Sequence, residues 1–324
     1  MPRRRYRSVL FLFSVGCGLA FGCSLYYGTV HLNFHHFSPL EREIFFSVRL
    51  PRVLMAGLVG AALALSGVLF QYVMKNPLAD SFTTGVSASS ALGGVLAILI
   101  GVEHLLSGLA LATGLLGLLV VYKISSYQGR VQPITMLLAG IVINTFASAL
   151  ISLIKYLSDD SVSSIVFWLM GSFQWASFHK IFVLGAVLLI TFGLLRRDYL
   201  ALDIFCFDDQ TALTSGLSVY ALRRRLFFLA TLLTAVSVAY TGIIGFVGLI
   251  VPHLIRLGGF VRASELIPLS LIFGAGFMTL NDLLARTILP QGQELPVGII
   301  TSLLGGLFFL NILLKKKKEL YYFD

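Results

Sequence analysis

Ten long apolar runs dominate the sequence, and short polar or charged segments separate them. The runs cover residues 8–30, 52–73, 84–101, 105–122, 134–154, 180–195, 226–241, 243–257, 266–285 and 297–314. A helix needs roughly 20 apolar residues to cross a bilayer, and a backbone in lipid must satisfy its polar groups internally. The pattern predicts an all-α integral membrane protein of about ten transmembrane helices, with residues 1–324 forming a single transmembrane domain.

Lys and Arg are unevenly divided between the two sides of this predicted bundle. With the N-terminus inside and ten alternating spans, the inner segments hold 18 of the 24 basic residues. The outer segments hold Arg42, Arg49, Arg52, Lys155, Lys180 and Arg286. Positive charge accumulates on cytoplasmic loops. Both termini are therefore expected in the cytoplasm.

The first run follows a basic start but no A-x-A-like cleavage site follows it, so we expect it to remain as a span.

Composition supports the membrane class. The chain of 324 residues is 57% hydrophobic and only 12% charged, whereas soluble domains contain about 25% charged residues. A soluble fold of this length could not hide so much apolar surface. The net charge of +9 fits topology and contact with anionic lipid. Nucleic-acid binding would need a folded basic face or aromatic platforms, which the sequence does not indicate.

Motifs of covalent chemistry are missing from the sequence. There is no G-x-x-x-x-G-K-[ST] phosphate loop, no G-x-G-x-x-G, no H-E-x-x-H and no G-x-S-x-G. The three cysteines form no C-x-x-C pair, and the six histidines match no metal-site spacing. We expect no cofactor, no metal and no enzymatic activity. A membrane enzyme acting on lipid would need clustered acids, and Asp208–Asp209 is the only close acidic pair on the inner side.

A source of energy for transport is also missing from this chain. Asp282 is the only carboxylate well inside a predicted span. An ion-coupled carrier usually holds its ion with buried carboxylates or broken helices. We therefore expect the energy to come from another subunit, with an ion-coupled secondary transporter as the alternative from a different class.

Two arginines at the predicted outer end of the second span run against the positive-inside trend. Arg49 and Arg52 flank Leu50-Pro51. They fit snorkelling at the interface as well as docking of carboxylates from an external protein, and the residues alone favour neither. Asp282 and Arg286 stand four apart, which predicts a structural ion pair that aims Arg286 at the outer surface.

The predicted inner side contains a tight turn and a long polar segment. Asn76-Pro77 favours a turn, either a simple loop or a closure of a pathway. Within the segment 198–222, Leu213, Leu217 and Tyr220 predict one apolar face of a short amphipathic helix. This helix could lie on lipid or in a groove of a cytoplasmic partner. The adjacent acids Asp208 and Asp209 favour the partner.

The eighth run begins with regularly spaced glycines and ends in Pro252-His253. Gly242, Gly245 and Gly248 predict a close helix–helix contact. Pro252 is expected to kink or end the span. His253 is expected to be a hydrogen-bonded structural histidine.

Eight ordered motifs over residues 40–315 resemble the FecCD-type permeases, the membrane subunits of importers for iron–siderophores, haem and cobalamin. They are Arg49-Leu50-Pro51-Arg52, Gly60 to Gly67, Asn76-Pro77-Leu78-Ala79-Asp80, Leu137 to Ile141, Phe167 to Ser172, Gly245 to His253, Leu266 to Ser270, and Glu294-Leu295-Pro296-Val297-Gly298.

The resemblance implies a permease of ten helices in a bacterial inner membrane. It implies a homodimer around a central pathway, two cytoplasmic ATP-binding subunits and an extracytoplasmic substrate-binding protein. By position, Arg49, Arg52 and Arg286 match the arginines that receive acidic groups of the binding protein, and Asn76 and Leu78 match the cytoplasmic gate. The coupling helices that contact the ATPase correspond to Asp208, Asp209, Ala212, Leu213, Gly216 and Leu217.

The resemblance leaves the cargo open among iron–siderophore, haem, cobalamin and an oxyanion such as molybdate, and we expect an iron chelate. Phe207-Asp208-Asp209-Gln210 replaces the usual Leu-Gly-Asp-Glu before the coupling helix, and Ser215 replaces a usual leucine. The coupling segment of this chain therefore departs from the family pattern at these two places.

Overall fold

The computed structural model describes residues 3–30, 37–127, 130–158, 161–207, 209–290 and 293–320. Its helices are α1 (Arg3–Tyr26), α2 (Pro39–Glu43), α3 (Leu50–Met74), α4 (Val86–Leu99), α5 (Leu106–Ser125), α6 (Pro133–Leu157), α7 (Val162–Leu169), α8 (Phe178–Arg196), α9 (Tyr199–Phe205), α10 (Asp209–Thr214), α11 (Val219–Thr241), α12 (Val247–Leu257), α13 (Ala263–Thr287) and α14 (Val297–Leu320). A π-helical segment, Ile44–Arg49, leads into α3, and a 3-10 turn, Glu103–Leu105, precedes α5. One antiparallel pair, β1 (Ser126–Tyr127) and β2 (Arg130–Val131), joins α5 to α6. The predicted all-α class is confirmed.

A helix overlaps each of the ten apolar runs, but the helices differ in length. Within the described residues, seven stretches are long and apolar enough to cross a membrane: α1, the stretch Pro39–Met74 that ends with α3, α5 with its 3-10 turn, α6, α8, α13 and α14. The apolar helices α4 and α12 have only 14 and 11 residues. At about 1.5 Å per residue they span about 21 and 16 Å, less than the roughly 30 Å of a hydrocarbon core. The chain is a multi-pass membrane protein.

Helix α3 forms the centre of the molecule. The apolar window of the stretch that contains it is 89% buried, and α13, α11, α12 and α8 pack around it. A Cβ atom on Gly60 would overlap the backbone of Gly274 in α13, and one on Gly67 would overlap Gly248 in α12. Small residues at these crossings let the helix backbones touch, which is how helices associate in lipid without a hydrophobic driving force.

A second group of helices packs beside this centre. Helix α4 lies against α5 and α6, and α11 contacts both this group and α3. The serines of α4 fit this packing, because Ser89 and Ser90 face Gly117 and Gly114 of α5. Helix α11 therefore joins the two groups into one bundle.

The glycine-rich segment after α11 is not the helix face that its spacing predicts. Residues 242–246 form a buried, non-helical connection, with positive φ angles at Gly242 (72°) and Phe246 (67°). The seventh and eighth runs, nearly continuous in sequence, are thus clearly divided. Of the three glycines only Gly248 makes the predicted close contact in a helix, against Gly67 of α3.

Of the two outcomes expected for Pro252, a kink or an end of the span, the second does not occur. Pro252 lies inside α12, which continues to Leu257. A proline has no N–H for the carbonyl four residues earlier, here that of Gly248. The side-chain amide of Gln71 in α3 donates to this carbonyl at 3.1 Å, so the orphan acceptor is satisfied from a neighbouring helix.

Candidate functional site

Five charged side chains from three parts of the chain meet at the end of α13. This arginine cluster consists of Arg49, Arg52, Asp282, Arg286 and Glu294. The π-helical segment and α3 supply the first two arginines, α13 supplies Asp282 and Arg286, and the loop before α14 supplies Glu294. The cluster therefore contains three guanidinium groups and two carboxylates, and Arg52 and Arg286 pair with those carboxylates.

Arg52 is the hub of the cluster. Its Nε and Nη2 donate to Oδ1 of Asp282 at 3.0 and 2.9 Å, and its Nη1 donates to Oε2 of Glu294 at 2.7 Å. This planar fork suits bidentate pairing with a carboxylate. Arg52 thus ties α3 to both α13 and the loop before α14.

The other two arginines of the cluster, Arg49 and Arg286, both contact the end of α1. Arg286 pairs with Asp282 at 3.0 Å, as the spacing of four predicts, and also donates to the hydroxyl of Ser24. Arg49 donates to the backbone carbonyls of Leu25 and Tyr26 at 3.0 Å and to that of Val30. The end of α1 is held by these two guanidinium groups.

All three arginines are buried, which contradicts the expectation that the ion pair would aim Arg286 at the surface. Arg49, Arg52 and Arg286 are 5%, 7% and 4% exposed. A buried charge must be paired and hydrogen-bonded, and the internal carboxylates and carbonyls meet that need here. In this conformation the guanidinium groups are occupied by the chain itself.

Glu294 belongs to the cluster, although in the sequence it stands out only as part of a motif. Its carboxylate accepts from Arg52 and, at 3.1 Å, from the amide of Gln174 in the segment before α8. Partial burial opposes ionisation, but the nearby charge of Arg52 and these hydrogen bonds hold the pKa of Glu294 below its usual value. It is more exposed than Asp282, with 16% of its side chain accessible against 0%.

The predicted gate residues lie in the turn that follows α3. The side-chain oxygen of Asn76 accepts from the backbone N–H of Leu78 at 2.9 Å, a local bond typical of asparagine in turns. Leu78 is 53% exposed. The turn expected from Asn76-Pro77 is therefore present, and Leu78 lies on its surface.

The predicted coupling segment is divided into two short helices rather than one amphipathic helix. Helix α10 ends at Thr214, and Gly216 adopts a φ of 82°, so Leu217 and Tyr220 do not continue the face of Leu213. Leu213 is exposed, whereas Ala212 is buried and Leu217 packs on the core. Asp208 lies outside the described residues.

Asp209 is partly exposed, and its carboxylate joins three elements. Its Oδ1 accepts from Nζ of Lys75 at 2.6 Å and from Nη2 of Arg223 at 2.9 Å. Both cations also lie over the ring of Phe205, at 5.5 and 5.3 Å from its centroid. We call Lys75, Phe205, Asp209 and Arg223 the inner junction.

In the inner junction one carboxylate is held between two cations. Partial burial of Asp209 opposes ionisation, but hydrogen bonds from Arg223 and Lys75 hold the pKa of its carboxyl below the usual value. Arg223 is only 1% exposed and also donates to the carbonyl of Val131 in β2 at 2.8 Å. In the sequence Arg223 and Lys75 counted only as topological charges, and neither was assigned to a site.

A cavity of about 480 Å³ is lined by residues of the gate turn and by residues at the end of α9. Asn76, Pro77, Cys206 and Phe207 are among them, and Lys75 also lines it. The gate turn and the coupling segment therefore border the same open space.

No metal site is evident in the described part of the chain, where no three His, Cys, Asp or Glu side chains form a possible metal-binding group. The ring of His253 lies against Phe308 and Phe309, at 5.8 and 6.1 Å between centroids. This packing fits the structural role expected for His253.

Comparison with known proteins places nearly the whole chain in one family. The FecCD transport family matches residues 8–315. The molybdate import system permease protein MolB of Haemophilus influenzae is 37% identical, covering 86% of this chain and 83% of its own length. The hemin transport system permease protein HmuU of Yersinia pestis is 36% identical, covering 86% of this chain and 85% of its own length.

A solved structure extends this similarity to the backbone. The inward-facing conformation of an ABC transporter assigned to the metal-chelate type superposes with a TM-score of 0.86 at 34% identity. The match covers 95% of this chain and 99% of that one.

Proposed function

The chain belongs to the FecCD transport family and is a permease of an ABC transporter, and we propose that it imports an iron chelate, either an iron–siderophore or haem. The observation that carries this cargo is the superposition of nearly the whole chain on a metal-chelate type transporter. The hemin permease HmuU supports the same class. The molybdate permease MolB is equally similar, so an oxyanion is the second candidate and cobalamin the third.

The proposed arrangement has ten membrane crossings and cytoplasmic termini in a bacterial inner membrane. The bias of Lys and Arg toward alternate segments supports it. Helices α4 and α12 are short for a full crossing. Buried non-helical backbone next to them, such as residues 242–246, would complete the crossing. Such backbone is tolerated at membrane depth where protein surrounds it or where it lines a cavity.

We propose a homodimer with two ATP-binding subunits inside and a substrate-binding protein outside. The exposed Leu213 and Phe207 favour contact of the 198–222 segment with an ATP-binding subunit, and the exposed Leu78 suits a gate at the dimer axis. ATP would shift the population between two states of the pathway by binding them with different affinity. This chain performs no covalent step in that cycle.

The binding protein can dock on Arg49, Arg52 and Arg286 only if one of its acidic groups replaces an internal partner of these arginines. The arginine cluster has one more guanidinium group than carboxylates, which favours an incoming acid. Glu294 is the internal partner best placed to leave, because it sits in a loop and is partly exposed. Asp282, fully buried between two arginines, is the fixed partner.

The same geometry disfavours an ion-coupled secondary transporter. Asp282 is the carboxylate that such a carrier would use, and both of its oxygens accept from arginine. A carboxylate engaged by two cations has no free charge for a coupling ion.

The proposal is tested by elemental mass spectrometry of cells that lack the gene. We expect cell iron to fall when a ferric siderophore or hemin is the sole iron source, with cobalt and molybdenum unchanged, and the intact gene to restore it. Ferrous iron supplied in excess is the control, because it bypasses chelate import. Normal iron with a fall in molybdenum, or in cobalt when cobalamin is supplied, contradicts the iron cargo and leaves the permease assignment standing.

A further inference from the structure

We propose that Lys75 is the positioning residue that transmits movement of the coupling segment to the gate turn, through its ion pair with Asp209. This inference rests on the proposed function and adds to it. The resemblance assigns Asp209 to contact with the ATP-binding subunit. In the structure its carboxylate accepts hydrogen bonds from Lys75 and Arg223 of the same chain.

The position of Lys75 in the chain is the first argument. It caps the C-terminus of α3 and directly precedes Asn76 of the gate turn. Its Nζ donates to Asp209 at 2.6 Å and to the carbonyl of Phe207 at 2.5 Å. One side chain therefore holds both Phe207 and Asp209, the first residue of α10.

The backbone of Lys75 is the second argument. Its φ of 48° and ψ of 35° are left-handed, a conformation that glycine adopts at helix ends without strain. Only Lys75 and Phe246 are non-glycine residues with positive φ in the described part of the chain. A side chain kept in an unfavourable conformation points to a role for that side chain.

The open space around Lys75 is the third argument. Residues of the gate turn and of the connection between α9 and α10 line the same cavity of about 480 Å³. Packed surfaces transmit movement directly, but a cavity does not. Lys75 also lines this cavity, and its ion pair with Asp209 connects the two segments directly.

Arg223 provides the fixed end of the junction. It is fully buried in α11 and is held by both Asp209 and the carbonyl of Val131. Asp209 can therefore turn about Arg223 when α10 moves, and Lys75 follows. Loss of the Lys75 charge leaves the Asp209–Arg223 pair intact, which separates transmission from folding.

The test follows the gate directly and needs no knowledge of the cargo. Leu78→Cys reports on the gate turn in a complex whose Cys17, Cys23 and Cys206 are replaced by serine. The complex with its ATP-binding subunit is placed in nanodiscs, and the rate of maleimide labelling is compared without nucleotide and with ATP under blocked hydrolysis. In the parent we expect ATP to change this rate.

Lys75→Met should reduce the effect of ATP on labelling about tenfold, within the usual range of coupling between sites. Co-purification and ATP hydrolysis should remain. Lys75→Arg keeps the charge and should keep the response. Arg225→Gln is the matched control, because it removes an ion pair that Asp198, at the start of the segment 198–222, makes with α11 rather than with the gate turn.

A full ATP response in Lys75→Met overturns the inference and leaves the proposed function intact. Lys75→Gly guards against misfolding, since glycine relieves the left-handed backbone, and it should lose the response like Lys75→Met. If both variants lose the ATP-binding subunit while Arg225→Gln retains it, Lys75 is an assembly residue and the inference is wrong. A parent that does not respond to ATP overturns the gate assignment in the proposed function as well.

Discussion

Asp282 shows how a single carboxylate organises the arginine cluster. It is fully buried and accepts from Arg52 and Arg286, so it neutralises charge on two helices that pack together. Removing one partner of a buried ion pair leaves the other charge unpaired, and this costs more than the pair itself contributes. Asp282 is thus a structural residue of the cluster.

Asp282→Asn should lower the free energy of unfolding by about 3 kcal/mol, because it leaves two buried guanidinium groups with only Glu294 as a carboxylate partner. Thermal unfolding of the purified protein in detergent measures this effect. Asp198→Asn is the matched control, since its pair with Arg225 is partly exposed and should cost less than about 1 kcal/mol. Equal shifts in both variants would contradict the structural role of Asp282.

For single residues, the sequence predicted ion pairs between nearby positions well and ion pairs between distant positions poorly. The Asp282–Arg286 pair follows from helical periodicity and is confirmed at 3.0 Å. Arg52 and Asp282 are 230 positions apart, and no local rule connects them. The same holds for Lys75, whose partner Asp209 depends on how α3, α9 and α10 pack.

Gln71 of α3 supplies a hydrogen bond that is missing within α12. Its amide donates to the carbonyl of Gly248, which Pro252 leaves without a donor, and its oxygen accepts from Arg256. These bonds join α3 to α12 at the point where Gly67 meets Gly248. The proline is therefore tolerated because α3 supplies the missing donor.

Gln71→Leu should cost about 2 kcal/mol of unfolding free energy, because it leaves a buried carbonyl unsatisfied. In a Pro252→Ala background the cost should fall by about 1 kcal/mol, since alanine at that position would restore the N–H donor within α12. The rescue is partial because Arg256 still loses its acceptor. Unfolding of the four variants in detergent gives the coupling.

Pro268→Ala is the control background for this cycle, because Pro268 lies inside α13 and Gln71 does not contact that helix's orphan carbonyl. Gln71→Leu should cost the same there as in the parent. Additive effects of Gln71→Leu and Pro252→Ala within about 0.5 kcal/mol would show that the amide does not replace the missing donor.

The sequence predicted the elements from hydrophobic length, which is a reliable signal for helices in lipid. A helix overlaps every predicted run. The errors lie where backbone geometry decides. The sequence predicts that Pro252 kinks or ends its span, but α12 continues past it to Leu257. It also predicts helix at residues 243–246, which are not helical. Both depend on contacts from other helices, which hydrophobic periodicity does not report.

The whole molecule combines full spans with short helices and buried non-helical segments. The N–H of Ser172 donates to the carbonyl of Thr241 at 2.8 Å, and a Cβ on Gly298 would overlap both Met170 and Ile243. The connections after α7 and after α11 thus meet the first turn of α14 inside the bundle. Non-helical backbone at this depth is typical of a transport pathway.

The proposed orientation depends on whether the short helix α12 returns the chain to the inner side. If α11 and α12 both cross, then Leu200 and Val261 lie inside and Ile288 lies outside. All three side chains are at least 60% exposed, so cysteines there are accessible to a maleimide.

In a background with Cys17, Cys23 and Cys206 changed to serine, an impermeant maleimide should label Ile288→Cys in spheroplasts. Leu200→Cys and Val261→Cys should be labelled only after the membrane is opened. Labelling of Val261→Cys from outside, with Leu200→Cys protected, would show that α12 turns back within the membrane and that the chain crosses it an odd number of times.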